Sequence, residues 1–295
     1  LAVVGPPHVA SVAVLILVIA SAIAFAALVF ARRWAVLSVF GLTVLAIVID
    51  ALSGYNLCKY ALPSSYQLAG LRYYGIGNEY AGALVSMSAL VALFSAAKSR
   101  VAATTALGLM TTVVLGFGRF GSNYGAAAAA VVTFGLILTA LRKGGFGARH
   151  VIGLVSLGVI VSLTFACADW LAFGTSGSHG AQVVGGGLGN VLTVAWRKAL
   201  MNVHLAASRT ARQAVLAILP FVALWLWRIH PKICEILAQD PRLKAGLKAL
   251  MVGAAAAMVM NDSGVVMAGI MVSMTAVVLV YTLLEQLAIV EDCSA

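Results

Sequence analysis

Few residues in this 295-residue chain could do chemistry, and they stand out against an apolar background. Asp50 closes one apolar run. A carboxylate at a helix C-terminus meets the negative end of the helix dipole, so Asp50 calls for a cationic partner, Arg72 or Arg119. Arg72-Tyr73-Tyr74-Gly75-Ile76-Gly77-Asn78-Glu79-Tyr80 then places a guanidinium, three phenols, two glycines and a carboxylate within nine residues. Asn78 and Glu79 fit a helix start, with Asn as cap and Glu at the positive dipole end. They equally fit a site, since one residue can do both. Gly116-Phe117-Gly118-Arg119-Phe120-Gly121 has the GxGxxG spacing. The dinucleotide reading fails, because that motif needs a preceding strand and an acid about 20 residues later, and no acid follows before Asp169. What survives is an anion site, with Arg119, flexible backbone and a helix start at Asn123 holding a group such as phosphate.

Asn261-Asp262-Ser263-Gly264 interrupts the last apolar hairpin and reads as a tight turn with a helix cap or as part of a site. Its glycosylation sequon lies too near the membrane to be used. His179 lies in a Gly/Ser-rich loop, a solvated residue or a base, with no second His or Cys at metal spacing. Cys58, Cys167, Cys234 and Cys293 are widely separated and imply neither a metal site nor a disulfide framework. No metal or other cofactor is expected. Asp50, Glu79 and Asp262 are the candidate general bases or partners for the arginines. Arg72, Asn78, Arg119, Asn123, His179, Arg197, Lys198 and Asn261 are the candidate substrate-binding residues. Glu235, Asp240, Glu285, Glu291 and Asp292 read as solvated.

The elements that must position these residues are membrane helices. The chain is 62% hydrophobic and 9% charged, with mean hydropathy +1.05, against about 25% charged in a soluble domain. A water-soluble fold cannot hide that much apolar surface, so the bilayer is the expected solvent and partner. The fold class expected is all-α: a single integral membrane domain over 1–295, a polytopic bundle of about nine spans plus one amphipathic interfacial helix. The runs fall at about 9–30, 34–50, 79–97, 101–117, 124–141, 151–173, 213–228, 246–260 and 265–286. The amphipathic stretch is 184–212, which carries Trp196, Arg197, Lys198, His204, Arg209 and Arg212 among apolar residues. It is expected to lie in the interface or to pack on the bundle. If it spans, the later helices invert and Asn261 and Asp262 move to the other face.

Alternate connections divide the nineteen Lys and Arg into twelve (Arg32 to Lys248) and seven (Lys59 to Arg212). Basic loops stay cytoplasmic, so the N-terminus is expected outside and the C-terminus inside. The net charge of +10 is thereby read as topology rather than as a nucleic-acid surface. The first charge is Arg32, and the lack of a basic stretch before the first apolar run argues against a cleavable signal peptide. Gly77-Asn78-Glu79-Tyr80-Ala81 and Gly121-Ser122-Asn123-Tyr124-Gly125 form a faint echo, too thin to establish a repeat.

Asp50, Tyr73 to Glu79, Gly118 to Gly125, Arg197-Lys198 with Asn202, and Asn261 to Gly264 resemble the membrane portion of a poorly characterised bacterial family of large multipass proteins, described as phosphoglyceromutase-like or alkaline-phosphatase-like. The resemblance covers most of the chain and implies a shared type of membrane module. No phosphatase metal motif accompanies it. Three functions follow as expectations. The first is a bacterial cytoplasmic-membrane protein with an outward polar pocket for an anionic or lipid-linked, phosphate-bearing substrate. The second is a secondary transporter built on broken helices. The third is a non-catalytic anchor or assembly module for a separate enzyme domain.

Overall fold

The computed structural model describes residues 32–54, 58, 75–173, 230–261 and 264–294, with seven isolated positions between 189 and 207. Within these residues the chain is helical, without strands. The helices are α1 (Arg32–Leu52), α2 (Asn78–Phe94), α3 (Arg100–Gly116), α4 (Tyr124–Lys143), α5 (Ala148–Phe173), α6 (His230–Ala238), α7 (Pro241–Met260) and α8 (Gly264–Ser294).

Four of them, α4, α5, α7 and the Gly264–Leu283 part of α8, are long and apolar enough to cross a membrane. The expected nine full spans are not what the described residues show. The runs at 34–50, 79–97 and 101–117 become the shorter apolar helices Val36–Leu52, Asn78–Phe94 and Arg100–Gly116. Each of α2 and α3 has 17 residues, about 25 Å at 1.5 Å per residue against a hydrocarbon core of about 30 Å. The runs at 9–30 and 213–228 lie outside the described residues.

The helix ends follow from local chemistry. Asn123 caps α4, its side chain accepting from the Ala126 N–H at 3.1 Å. At the far end Gly144, at φ +77°, supplies the left-handed turn that closes the helix. Asp240 caps α7 in the same way, accepting from Leu243 N–H at 2.9 Å, and Pro241 takes the first helical position, where its missing N–H costs nothing. Asn78 is not a cap. It is the first residue of α2, behind Gly77.

Helix α4 is the centre of the bundle. Its run Gly125–Ala130 is buried, as are Val132, Leu136 and Ile137. Small side chains let neighbouring backbones come close, as membrane helix interfaces require. A Cβ on Gly125 would sit 2.6 Å from the Met260 carbonyl of α7. A Cβ on Gly158 of α5 would sit 2.8 Å from the Ala128 carbonyl of α4, and one on Gly82 of α2 would sit 2.7 Å from the Met267 carbonyl of α8. Against this core α5 is peripheral. Only Gly158, Ala166 and Asp169 of its 26 residues are buried, while Ile152, Leu157, Ile160 and Leu171 are exposed, a surface suited to lipid.

Short connections make α2, α3, α4 and α5 successive antiparallel neighbours. One end of the bundle therefore gathers the C-termini of α1, α3, α5 and α7 with the N-termini of α2, α4 and α8. Asn261 joins Asn78 and Asn123 there by hydrogen bonds, so the inversion that a spanning 184–212 would bring does not occur. The described positions of that stretch, Gly189, Thr193, Trp196, Leu200, Val203, His204 and Ala207, are helical and exposed.

Candidate functional site

Two irregular segments meet at the asparagine end. Ile76 N–H donates to the Gly121 carbonyl at 2.7 Å, and Asn123 N–H donates to the Leu115 carbonyl at 2.8 Å. Gly75 sits at φ +77°, and a Cβ there would run into the Gly121 carbonyl. Both conditions demand glycine. Ser122, at φ +46°, is the one non-glycine residue in left-handed backbone among the described residues. Gly75, Ile76 and Gly77 are all buried. Their non-helical backbone thus lies inside protein, the condition under which such backbone survives at membrane depth.

Three buried asparagines tie these segments to the α7–α8 hairpin. Asn78 Oδ1 accepts from Asn123 Nδ2 at 2.9 Å and from Asn261 Nδ2 at 2.7 Å. Asn123 Nδ2 also donates to the Ile76 carbonyl at 3.0 Å, and Asn261 Nδ2 reaches Asn123 Oδ1 at 3.3 Å. The three are 6%, 4% and 2% exposed, so each bond replaces water that is not there to substitute. The N-termini of α2, α4 and α8 surround this knot, and helix N-termini present positive potential and unsatisfied N–H groups.

Carboxylates flank the knot. Asp50 is 4% exposed and accepts from the Cys58 backbone N–H at 2.8 Å. Arg72, one of the cationic partners expected for it, lies outside the described residues, and within them a main-chain donor serves Asp50. A buried carboxylate needs hydrogen bonds, and an N–H supplies one as well as a guanidinium does. Burial pushes the Cys58 thiol well above its ordinary range, followed by its hydrogen bond to Asp50 and the charges of Asp50 and Glu79. Asp50 and Glu79 therefore act on one locus. The Glu79 carboxylate folds back over its own helix start, where a Cβ on Gly77 would strike it.

On the α5 side, Tyr124 Oη donates to Asp169 Oδ2 at 2.9 Å. Asp169, 7% exposed, packs so closely on Gly118 that a Cβ there would meet its carboxylate. The Arg119 guanidinium lies 5.7 Å from the centre of the Phe173 ring, a cation–π distance. Arg119, Asp169, Phe165 and Phe173 line a groove of about 230 Å³ between the α3–α4 turn and α5.

Of the residues singled out from sequence, Asp50, Asn78, Glu79, Asn123 and Asn261 come together around the knot. Arg119 stands at the same end, turned towards Phe173. Arg72, His179, Arg197, Lys198 and Asp262 lie outside the described residues. Asp169 stands out in the sequence as one of four acids at this end, with Asp50, Glu79 and Asp262, but sequence reasoning did not pair it with Tyr124. The signal available for the bond was Asp169 itself, an acid deep in an apolar run. Among the described residues no group of three His, Cys, Asp or Glu could hold a metal.

Comparison of the chain with protein-family models, with curated proteins and with solved structures finds no match in any of the three.

Proposed function

We propose that this chain is a multipass module of a bacterial cytoplasmic membrane whose asparagine end, facing outwards, handles an anionic or lipid-linked, phosphate-bearing substrate. The observation that carries the reading is the convergence of three helix N-termini on buried, mutually bonded asparagines with the carboxylates of Asp50 and Glu79 alongside. Positive helix ends favour an anion, and Arg119 at the same end adds a full charge. Asp50 and Glu79 are the candidate bases. The resemblance to phosphoglyceromutase-like multipass proteins points in the same direction. The orientation rests on the twelve-to-seven division of basic residues.

The test is retention of an isoprenyl phosphate by the full chain in nanodiscs, measured by native mass spectrometry against a neutral isoprenol. Asp50→Asn, Glu79→Gln and Arg119→Gln are compared with the parent, together with complementation of a deletion strain. Selective retention, lost with Arg119→Gln, is the expected result. Unchanged retention and full complementation by all three variants would leave only the anchor function.

A secondary transporter is the second reading, favoured by the buried non-helical backbone at Gly75–Gly77. Flux of the same phosphate across sealed vesicles, abolished by Glu79→Gln, would select it over the first.

A further inference from the structure

The far end of the bundle holds a second polar construction. Arg100, at the start of α3, is only 8% exposed and is the one buried Arg or Lys among the described residues. Its Nη1 donates to Asp240 Oδ2 at 2.6 Å and its Nε to the Ser95 carbonyl at 3.3 Å. A guanidinium carries five N–H donors, and the rest meet no acceptor among the described residues. Arg100 and Asp240 line a cavity of about 250 Å³ whose other walls mix Leu37, Phe94 and Val278 with Gln239, Tyr281 and Thr282. A buried cation with spare donors, at the edge of a chamber with both polar and apolar walls, is not what a purely structural ion pair needs.

The geometry of the pair favours exchange. The Asp240 side chain is 36% exposed and that of Arg100 is 9% exposed, so the acid stands at the mouth and the cation lies behind it. Asp240 also has other work: its Oδ1 caps α7 at Leu243 N–H. If an incoming anion displaces it, the carboxylate keeps a hydrogen bond and gains water. Because the acid already meets water, exchanging it costs less than breaking a fully buried pair would. Lys98, Lys232 and Arg242, close in sequence to Arg100, the start of α6 and Asp240, are exposed, and such charges raise the local concentration of anions.

We propose that this cavity is a binding site for a phosphate-type oxyanion, anchored by Arg100 and gated by Asp240, which holds the guanidinium until the anion takes its place. The fork of a guanidinium matches two oxygens of a phosphate, Gln239 and Thr282 offer further donors, and the apolar side at Leu37, Phe94 and Val278 takes any carbon chain it carries. The site is independent of the one at the asparagine end.

The experiment uses the full chain in two arms. In detergent, inorganic phosphate is titrated and followed by ³¹P line broadening. In nanodiscs of equimolar phosphatidylglycerol and phosphatidylcholine, the lipid retained is counted by native mass spectrometry. Binding in the first arm alone assigns free phosphate, and selective phosphatidylglycerol retention assigns a lipid headgroup. Binding in neither arm overturns the site. Arg100→Gln should lower affinity at least roughly tenfold, since a charge-assisted bond is lost. Arg100→Lys should fall between, because an ammonium cannot fork. Asp240→Asn should tighten binding roughly two- to fivefold by removing the competitor. A gain cannot come from misfolding, so this variant protects the test against loss of structure. Glu235→Gln removes an equal charge from the exposed surface of α6 and should change nothing. An equal gain from Glu235→Gln, or unaltered binding by Arg100→Gln, refutes the proposal.

Discussion

Asn123 holds two positions at once, as cap of α4 and as a member of the asparagine knot, and substitutions can separate them. Its Oδ1 accepts from Ala126 N–H, while its Nδ2 donates to the Ile76 carbonyl and to Asn78 Oδ1. Asn123→Ala removes these three bonds and the longer one from Asn261 Nδ2 at 3.3 Å. The cap is worth about 1 kcal/mol and each donated bond about 1 kcal/mol, and the Ile76 carbonyl is left buried without this donor. A total loss of about 3–4 kcal/mol follows. Asn123→Ser keeps an acceptor for the cap and gives up the reach to Asn78 and Ile76, so about 2 kcal/mol should be lost. Asn123→Asp also keeps the cap and even suits the dipole. It then sets a carboxylate against Asn78 Oδ1 and the Ile76 carbonyl at a site 4% exposed, where an unpaired charge costs several kcal/mol. The order expected is therefore Ser least, Ala next, Asp at least as damaging as Ala. The assay is equilibrium unfolding of the purified full chain in mixed micelles, read by circular dichroism. If Ser and Asp both lie within about 0.5 kcal/mol of the parent while Ala falls, only the cap matters. The knot would then contribute nothing to the fold.

Gly75→Ala should cost more than about 2 kcal/mol, because left-handed backbone is strained for alanine and the obstruction is the Gly121 carbonyl rather than a movable side chain. A melting curve in the same micelles checks it. The Asp240 carboxyl, although burial raises its pKa, is held below the ordinary aspartate range by the Leu243 N–H and by Arg100. A depressed folded pKa contributes stability above the unfolded value and loses it as pH falls through the folded one. The stability gap between the parent and Asp240→Asn should thus be constant at neutral pH and close below about pH 4, which a pH series of melts would show. Burial and the nearby acids suppress the Cys58 thiolate. A variant keeping Cys58 as its only cysteine should react slowly with maleimide at neutral pH and faster once Asp50→Asn removes one charge, as a labelling time course would reveal.

Much of this was legible beforehand in the residues. The apolar composition fixes the helical, bilayer-suited class, since no other regular element satisfies its own backbone within one segment. The start of α4 at Asn123 and the grouping of Asp50, Glu79 and the asparagines at one end follow from alternation of apolar runs and polar connections. Run length overstated the spans, because runs of about 17 residues stand at the lower limit for a span, where a helix of about 25 Å falls short of the hydrocarbon core. The charge-pairing argument for Asp50 could not foresee the Cys58 N–H, since main-chain donors leave no trace in side-chain identity.

What the sequence by itself determined is therefore which residues are expensive in this chain and at which end they gather. Only the tertiary structure decided who meets whom. Asn261 bonds to Asn78 and Asn123 across 183 and 138 residues, and Arg100 to Asp240 across 140. Those meetings depend on how closely α4 and α7 approach at Gly125 and along their alanines. Such contact between small side chains gives no period or charge by which a sequence could announce it.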